Sequence, residues 1–203
     1  MHEDEARPHS PRATLRRMKF LCTGQTRTWQ NLVCDHWRVV ETSGIQDAGV
    51  DRVRVVFDLA PVDGWPPART ERLWAVRVDD VHARLDNTPF FARGFASGDV
   101  VLIAADDEGV FWVKDAVEYS GNCTIRIIPA EGGRRVEVRQ AVLDAFAPLG
   151  VGGEGIGQFG LVALNVPGTA DIAAVKRLVI QGADEGRWHY EEGCVTPQWR
   201  EIE

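Results

Sequence analysis

The sequence predicts an α+β fold, in which a small meandering β-barrel or coiled antiparallel sheet is followed by a ferredoxin-like (split βαβ) half. Two observations predict this class. Within residues 51–122, apolar and polar residues alternate in several short runs, and no run repeats at helical spacing. Within residues 123–203, patterns typical of strands and of amphipathic helices follow one another.

The β-rich part, residues 51–122, is expected to hold five strands with short connections. The first two strands have apolar residues at alternate positions: Val53, Val55, Phe57 and Leu59 in the first, and Trp74, Val76 and Val78 in the second. After Asp79-Asp80 the alternation resumes at Val81, which predicts a hairpin. Strands over 100–105 and 110–119 complete this part.

A segment from Leu85 to Val101 separates two of these strands and contains three phenylalanines, one proline and two glycines. Its Asn-Thr-Pro sequence predicts a turn, because a short amide can close its own backbone loop and proline fixes φ. We therefore expect Phe90, Phe91 and Phe95 to be buried.

The second part alternates strand and helix patterns. The expected elements are a strand over 123–128, a helix over 138–149, a strand over 159–166, a helix over 169–182 and a strand over 187–195. Thr169 is a candidate N-cap of the second helix. This order lacks one strand of a ferredoxin-like unit, which is either missing or hidden in the glycine-rich segment 150–157.

The first 50 residues differ from the rest. Residues 1–17 are charged and lack apolar periodicity, which predicts a disordered or loosely held arm, and Met18 could be the natural start. Residues 18–50 are expected to form an extension packed on the core.

A formal net charge of -7 argues against nucleic acid and anionic membranes as partners and suits a basic protein partner. No apolar run reaches the ~18 residues that a membrane span needs, so we expect a cytoplasmic protein. The four cysteines form no CxxC pair, which predicts reduced thiols rather than a disulfide framework.

Four motifs carry a resemblance to a known family: Glu71-Arg72-Leu73-Trp74, Leu85-Asp86-Asn87-x-Pro89-Phe90-Phe91-Ala92, Gly98-Asp99-Val100-Val101 and Ser120-Gly121-x-x-Thr124-x-Arg126. Their order resembles a bacterial family known only as domain of unknown function 4265. The resemblance covers about 53–194 and implies a soluble bacterial protein. It implies no activity for any residue.

The seam between the two parts holds the candidate catalytic residues Asn122, Cys123 and Arg126. A thiol could act as a nucleophile if a histidine or another cation lowered its pKa. Residues three apart on a strand point to opposite faces, however, so Arg126 is poorly placed to activate Cys123. We expect a buried, unreactive Cys123.

Candidate ligand-binding residues are Trp65 and the glycines Gly152, Gly153 and Gly155. An exposed tryptophan would indicate a binding surface, whereas a buried Trp65 would cover an open end of the barrel. Clustered glycines can cradle a phosphate, but this cluster follows a helix and enters a strand, and it lacks the Lys-Ser/Thr of a P-loop. A flexible connection is the alternative.

A zinc site could combine Cys22, Cys34 and His36 with Cys194 or His189, but only Cys34 and His36 are closely spaced. We expect no metal and no cofactor.

Three functions are consistent with these patterns. The first is a binding protein, for example an acidic antitoxin, immunity or adaptor factor. The second is a small hydrolase- or transferase-type enzyme with its site at the seam. The third, RNA binding on the second sheet, is disfavoured because the strand over 159–166 carries no charge.

Overall fold

A computed structural model describes residues 51–202 of the chain. The predicted arm (residues 1–17) and the predicted extension (residues 18–50) lie outside the described residues. The strands are β1 (Arg52–Asp58), β2 (Thr70–Arg77), β3 (His82–Leu85), β4 (Val100–Ala105), β5 (Phe111–Glu118), β6 (Cys123–Pro129), β7 (Gly152–Ile156), β8 (Leu161–Val166) and β9 (Trp188–Cys194). The helices are α1 (Val136–Phe146), extended by a 3-10 turn (Ala147–Leu149), α2 (Ile172–Asp184) and α3 (Pro197–Glu201).

Strands β1 to β5 form a closed barrel in sequence order. Neighbouring strands are antiparallel except β1 and β5, which close the barrel through the parallel pairs Val55–Phe111 and Val56–Trp112. Closure leaves no strand edge of this sheet open for pairing.

The face of β2 that points into the barrel is not the one predicted from Trp74, Val76 and Val78. Glu71, Leu73 and Ala75 are buried, and Trp74 lies on the outer face. The reason is the pairing with β1: residues directly opposite in a sheet share a face, and Leu73 lies opposite the buried Val55. The inward set predicted for β1 itself is confirmed.

Strands β6 to β9 form a second antiparallel sheet in the order β7-β8-β6-β9. One face contributes alternate residues such as Cys123, Ile125 and Ile127 to a core shared with α1 and α2. The opposite face contributes Leu161 and Ala163 to the core of the barrel. The second sheet therefore lies between two cores within a single compact unit, and it shares one of them with the barrel.

The presence of two sheets and few helices confirms the α+β class. Of the two expectations for the glycine-rich segment, the hidden strand is confirmed and the flexible connection is wrong, because Gly152–Ile156 forms strand β7 on β8. Backbone pairing needs no side chain, and at Gly153 a Cβ would lie 2.4 Å from the carbonyl oxygen of Ala163. Glycine is required there by the close approach of the two strands.

Two helix ends also differ from expectation. Asp171, not Thr169, caps α2 by accepting the N–H of Ala174 at 2.9 Å. The helix continues past Gly182, where a Cβ would overlap the ring of Trp188. Helix α3, with the buried Trp199, escaped prediction because five residues are too few to reveal a helical period.

Candidate functional site

The segment between β3 and β4 lies against both the barrel and the second sheet. Phe90 and Phe91 are buried as predicted, and Phe95 is half-buried against Phe57. The ring of Phe91 makes edge contacts with Trp65 on the barrel side and with Phe159 beside β8. Aromatic packing thus joins this segment to both sheets.

The carboxylate of Glu71 binds the backbone of this segment from inside the barrel. Its Oε1 accepts the N–H of Phe90 at 2.6 Å, and its Oε2 accepts the N–H groups of Phe91 at 2.9 Å and Ala92 at 2.7 Å. Burial raises the pKa of Glu71 above its ordinary value, while the three N–H donors and the charge of Arg126 oppose that rise. The carboxylate satisfies three backbone donors that no strand or helix supplies with partners.

Arg126 binds the same segment from the second sheet. Only 1% of its side chain is exposed, and its Nη2 donates to the carbonyl oxygen of Ala92 at 2.5 Å. Its Nη1 lies 3.3 Å from Oε1 of Glu191, which in turn pairs with Arg93 at 2.8 Å. Burial lowers the pKa of Arg126, and the charges of Glu191 and Glu71 oppose that fall. Gly193 makes room for this guanidinium, since a Cβ there would lie 2.8 Å from its Cζ.

Four further residues of the recognised motifs also bind this segment or its borders. Asn87 Oδ1 accepts the N–H of Trp74, and Thr124 Oγ1 donates to the carbonyl oxygen of Phe95. The buried carboxylate of Asp99 accepts from Ser120 through both N–H, at 2.7 Å, and Oγ, at 2.8 Å. We call the whole set the signature network: Glu71, Asn87, Asp99, Ser120, Thr124 and Arg126.

The signature network consists largely of bonds between side chains and backbone inside the fold. An irregular segment leaves its N–H and C=O groups without regular partners, and each buried one left unpaired would cost about 1–3 kcal/mol. The motifs that identify the sequence are therefore the residues that hold this segment between the two sheets.

The seam residues do not converge on one site. Asn122 binds two other turns, donating to the carbonyl oxygen of Ser97 at 2.8 Å and accepting the N–H of Gly168 at 3.1 Å. Cys123 is 1% exposed and faces the helices, with Sγ 3.9 Å from Oγ1 of Thr196. Arg126 lies on the opposite face of β6. The structure agrees with the expected burial of Cys123 and with its separation from Arg126.

Packing contacts also explain the positions of the candidate ligand-binding residues. Trp65 is half-buried over the barrel core, in edge contact with Phe91. Gly152, Gly153 and Gly155 lie in β7, and Arg139 covers Gly155 with a side chain that also donates to the carbonyl oxygens of Gly133 and Arg134.

Within residues 51–202, no group of three or more histidine, cysteine, aspartate or glutamate residues is arranged to hold a metal ion. Cys22, Cys34 and His36 lie outside the described residues. Burial raises the pKa of the Cys194 thiol to about 12, so it is protonated at neutral pH. The described part of the chain also has no helix with the length and hydropathy needed to cross a membrane.

An exposed cluster that was not predicted from the sequence lies on the outer face of β1, β2 and β3. Trp74 is 39% exposed, and the guanidinium of Arg54 stacks over its ring at 4.5 Å. We call this cluster the arginine face: Arg52, Arg54, Arg72, Trp74 and Arg84. Its sequence signal is confined to β1, where Arg52 and Arg54 alternate with the apolar residues Val53 and Val55 and therefore point to the opposite face.

Comparisons with known proteins agree with the motifs. A family model described as "Domain of unknown function (DUF4265)" matches residues 71–190, more than half of the chain. A solved structure described as "Novel crystal structure of a hypothetical protein from Neisseria gonorrhoeae" superposes with a TM-score of 0.58 at 18% identity, covering 71% of this chain and 96% of that one. At this identity the likeness shows the fold alone. No curated protein matches the chain. The matched residues include the whole signature network, and the chain belongs to the DUF4265 family.

Proposed function

We propose that the protein is a soluble, cytoplasmic, non-catalytic interaction protein of the antitoxin, immunity or adaptor kind. The observation that carries the proposal is that the polar side chains of the signature network bind the protein's own backbone. Groups bound in this way, with Arg126 and Glu71 buried, are not presented to a substrate. A protein whose identifying residues maintain its shape is suited to presenting a surface to a partner.

The divergence of the seam residues supports this proposal over a hydrolase or transferase. Nucleophilic catalysis needs a nucleophile within about 2.6–3.2 Å of a base that is itself oriented by a third group. The Sγ of Cys123 lies near the hydroxyl of Thr196, which is not a base, and Arg126 faces away from Cys123.

The fold also favours a protein interaction function over RNA binding. We infer that the second part is ferredoxin-like, because its elements follow the order β6-α1-β7-β8-α2-β9. RNA-binding modules of this type read bases with an open sheet face. Here one face packs on helices and the other contributes Leu161 and Ala163 to the core of the barrel. The net charge of -7 makes a basic protein partner the expectation for the remaining surface.

Alkylation and cross-linking together test the proposal. We expect iodoacetamide to leave Cys123 unmodified in the native protein at neutral pH, and to modify it after unfolding, as peptide mapping would report. Cross-linking in cells that express the chain should join its surface to one defined protein. Fast, selective alkylation of native Cys123 without a cross-linked partner would favour the enzyme instead.

A further inference from the structure

We propose that the arginine face is a docking surface for an extended acidic peptide segment of a protein partner. This inference rests on the proposed interaction function and names one surface for it. Only the docked segment would be acidic, and the partner that carries it can still be basic as a whole. Four arginines on one face of a barrel stand out in a chain with 30 acidic and 23 basic residues.

Strand pairing makes the arginine face continuous. Arg54 lies directly opposite Trp74, Arg72 lies opposite Val56, and Arg84 lies opposite Val76 on the other side of β2. Residues two apart on a strand, such as Arg52 and Arg54, are separated by about 6.8 Å. An extended peptide with a carboxylate at every second residue repeats at the same distance, so two of its carboxylates can pair with Arg52 and Arg54, while Arg72 and Arg84 add positive charge on the neighbouring strands.

The arginines are held in different ways. Arg54 stacks on Trp74, and Arg84 donates to the carbonyl oxygen of Gly98 at 3.2 Å. Arg52 pairs with Asp86 at 3.1 Å, where both side chains remain largely exposed. Within residues 51–202, no carboxylate pairs with Arg54 or Arg72. Because the guanidinium of Arg54 is held against Trp74, it can accept a bidentate carboxylate at a reduced entropic cost.

The same geometry favours a peptide over nucleic acid. Single-stranded nucleic acid binds where bases stack on free aromatic faces along a positive groove. The guanidinium of Arg54 already covers a face of Trp74, and Asp58 and Asp86 on β1 and beside β2 add negative charge at the margins. A short peptide can avoid these carboxylates more easily than a continuous polyanion.

Fluorescence anisotropy tests the proposal with the full chain and a fluorescein-labelled peptide of alternating glutamate and alanine, about ten residues long. We expect binding at about 50 mM salt that weakens at about 500 mM. The double variant Arg54→Glu/Arg72→Glu should bind at least about tenfold more weakly. The matched control Arg134→Glu/Arg177→Glu, which reverses two exposed arginines outside the face, should change binding by less than about twofold.

A conservative variant separates geometry from charge. Arg54→Lys keeps the charge but loses the planar fork, so we expect about threefold weaker binding, with thermal melting close to that of the native protein. Equal losses in the face and control variants would overturn the proposal, because bulk charge would then explain binding. No binding, or tighter binding of an oligothymidylate of similar length, would also overturn it. Either result would leave open that a protein partner binds elsewhere on the surface. The cross-linking experiment tests that broader interaction function separately.

Discussion

Glu71 is a charged residue at an inward position of a strand, and its surroundings explain why it is there. Leu73 and Ala75 follow it on the same face, inside the barrel. The alternation of residues in β2 puts Glu71 on the same face as Leu73 and Ala75. The register with β1 then shows that this face points into the barrel. Register could not be predicted from β2 alone, since its outer face carries Trp74 and looks equally apolar.

Replacing Glu71 with glutamine tests its role. The amide keeps one acceptor oxygen but turns an N–H₂ toward backbone N–H donors, so at least one of Phe90, Phe91 and Ala92 loses its bond. We expect Glu71→Gln to lower the free energy of unfolding by about 1–3 kcal/mol in urea denaturation. Glu137→Gln on the exposed surface of α1 is the control. Equal stability of the two variants would contradict the role assigned to Glu71.

For other residues, what could be predicted depends on how far apart in the sequence the contacting residues are. The opposite orientations of Cys123 and Arg126 could be predicted, because strand geometry with a period of two is local. The contacts of Asn122 with Ser97 and Gly168 could not, because their partners are 25 and 46 residues away in the sequence. The arginine face was missed for a related reason, since it requires three strands in register.

At the scale of elements, strands with clear alternation or with a continuous apolar run, such as β4 and β8, were predicted to within a few residues. Segments with neither pattern were not. Strand β7 consists of Gly-Gly-Glu-Gly-Ile and carries no apolar period, so only its pairing with β8 identifies it. Cap residues show the same limit: Thr169 and Asp171 are both suitable N-caps by type, and the observed bond to Ala174 decides between them.

The turn between β4 and β5 gives a prediction about pH. The side-chain N–H of Trp112, followed by the backbone N–H of Val110, lowers the pKa of Asp106. A carboxyl whose pKa is lower in the folded state stabilises the fold above its unfolded pKa, and this contribution is lost as the pH falls through the folded pKa.

We therefore expect the stability difference between the native protein and Asp106→Asn to be constant above about pH 5. It should shrink as the pH falls below the unfolded value of about 3.9. Denaturation at a series of pH values measures this difference, with Asp107→Asn as the control. A difference that grew on acidification would refute the assigned cause.

At the scale of the whole molecule, the signature network joins two sheets that composition and periodicity describe separately. Glu71 reaches the β3–β4 segment from the barrel, Arg126 reaches it from the second sheet, and both bind at Ala92. Local patterns predicted the two parts but not their shared core, because the residues that meet there are far apart in sequence. The family motifs mark this junction.

Urea denaturation of Arg126→Met tests the account most directly. Methionine fills much of the space but leaves the carbonyl oxygen of Ala92 without its donor and Glu191 with Arg93 alone. We predict a loss of about 3 kcal/mol in the free energy of unfolding, near the lower end for breaking a buried ion pair, because Glu191 keeps one partner. The exposed control Arg134→Met should stay within about 0.5 kcal/mol of the native protein. If Arg126→Met were equally unaffected, the signature network would not hold the two sheets together, and its residues would have to serve a function other than structure.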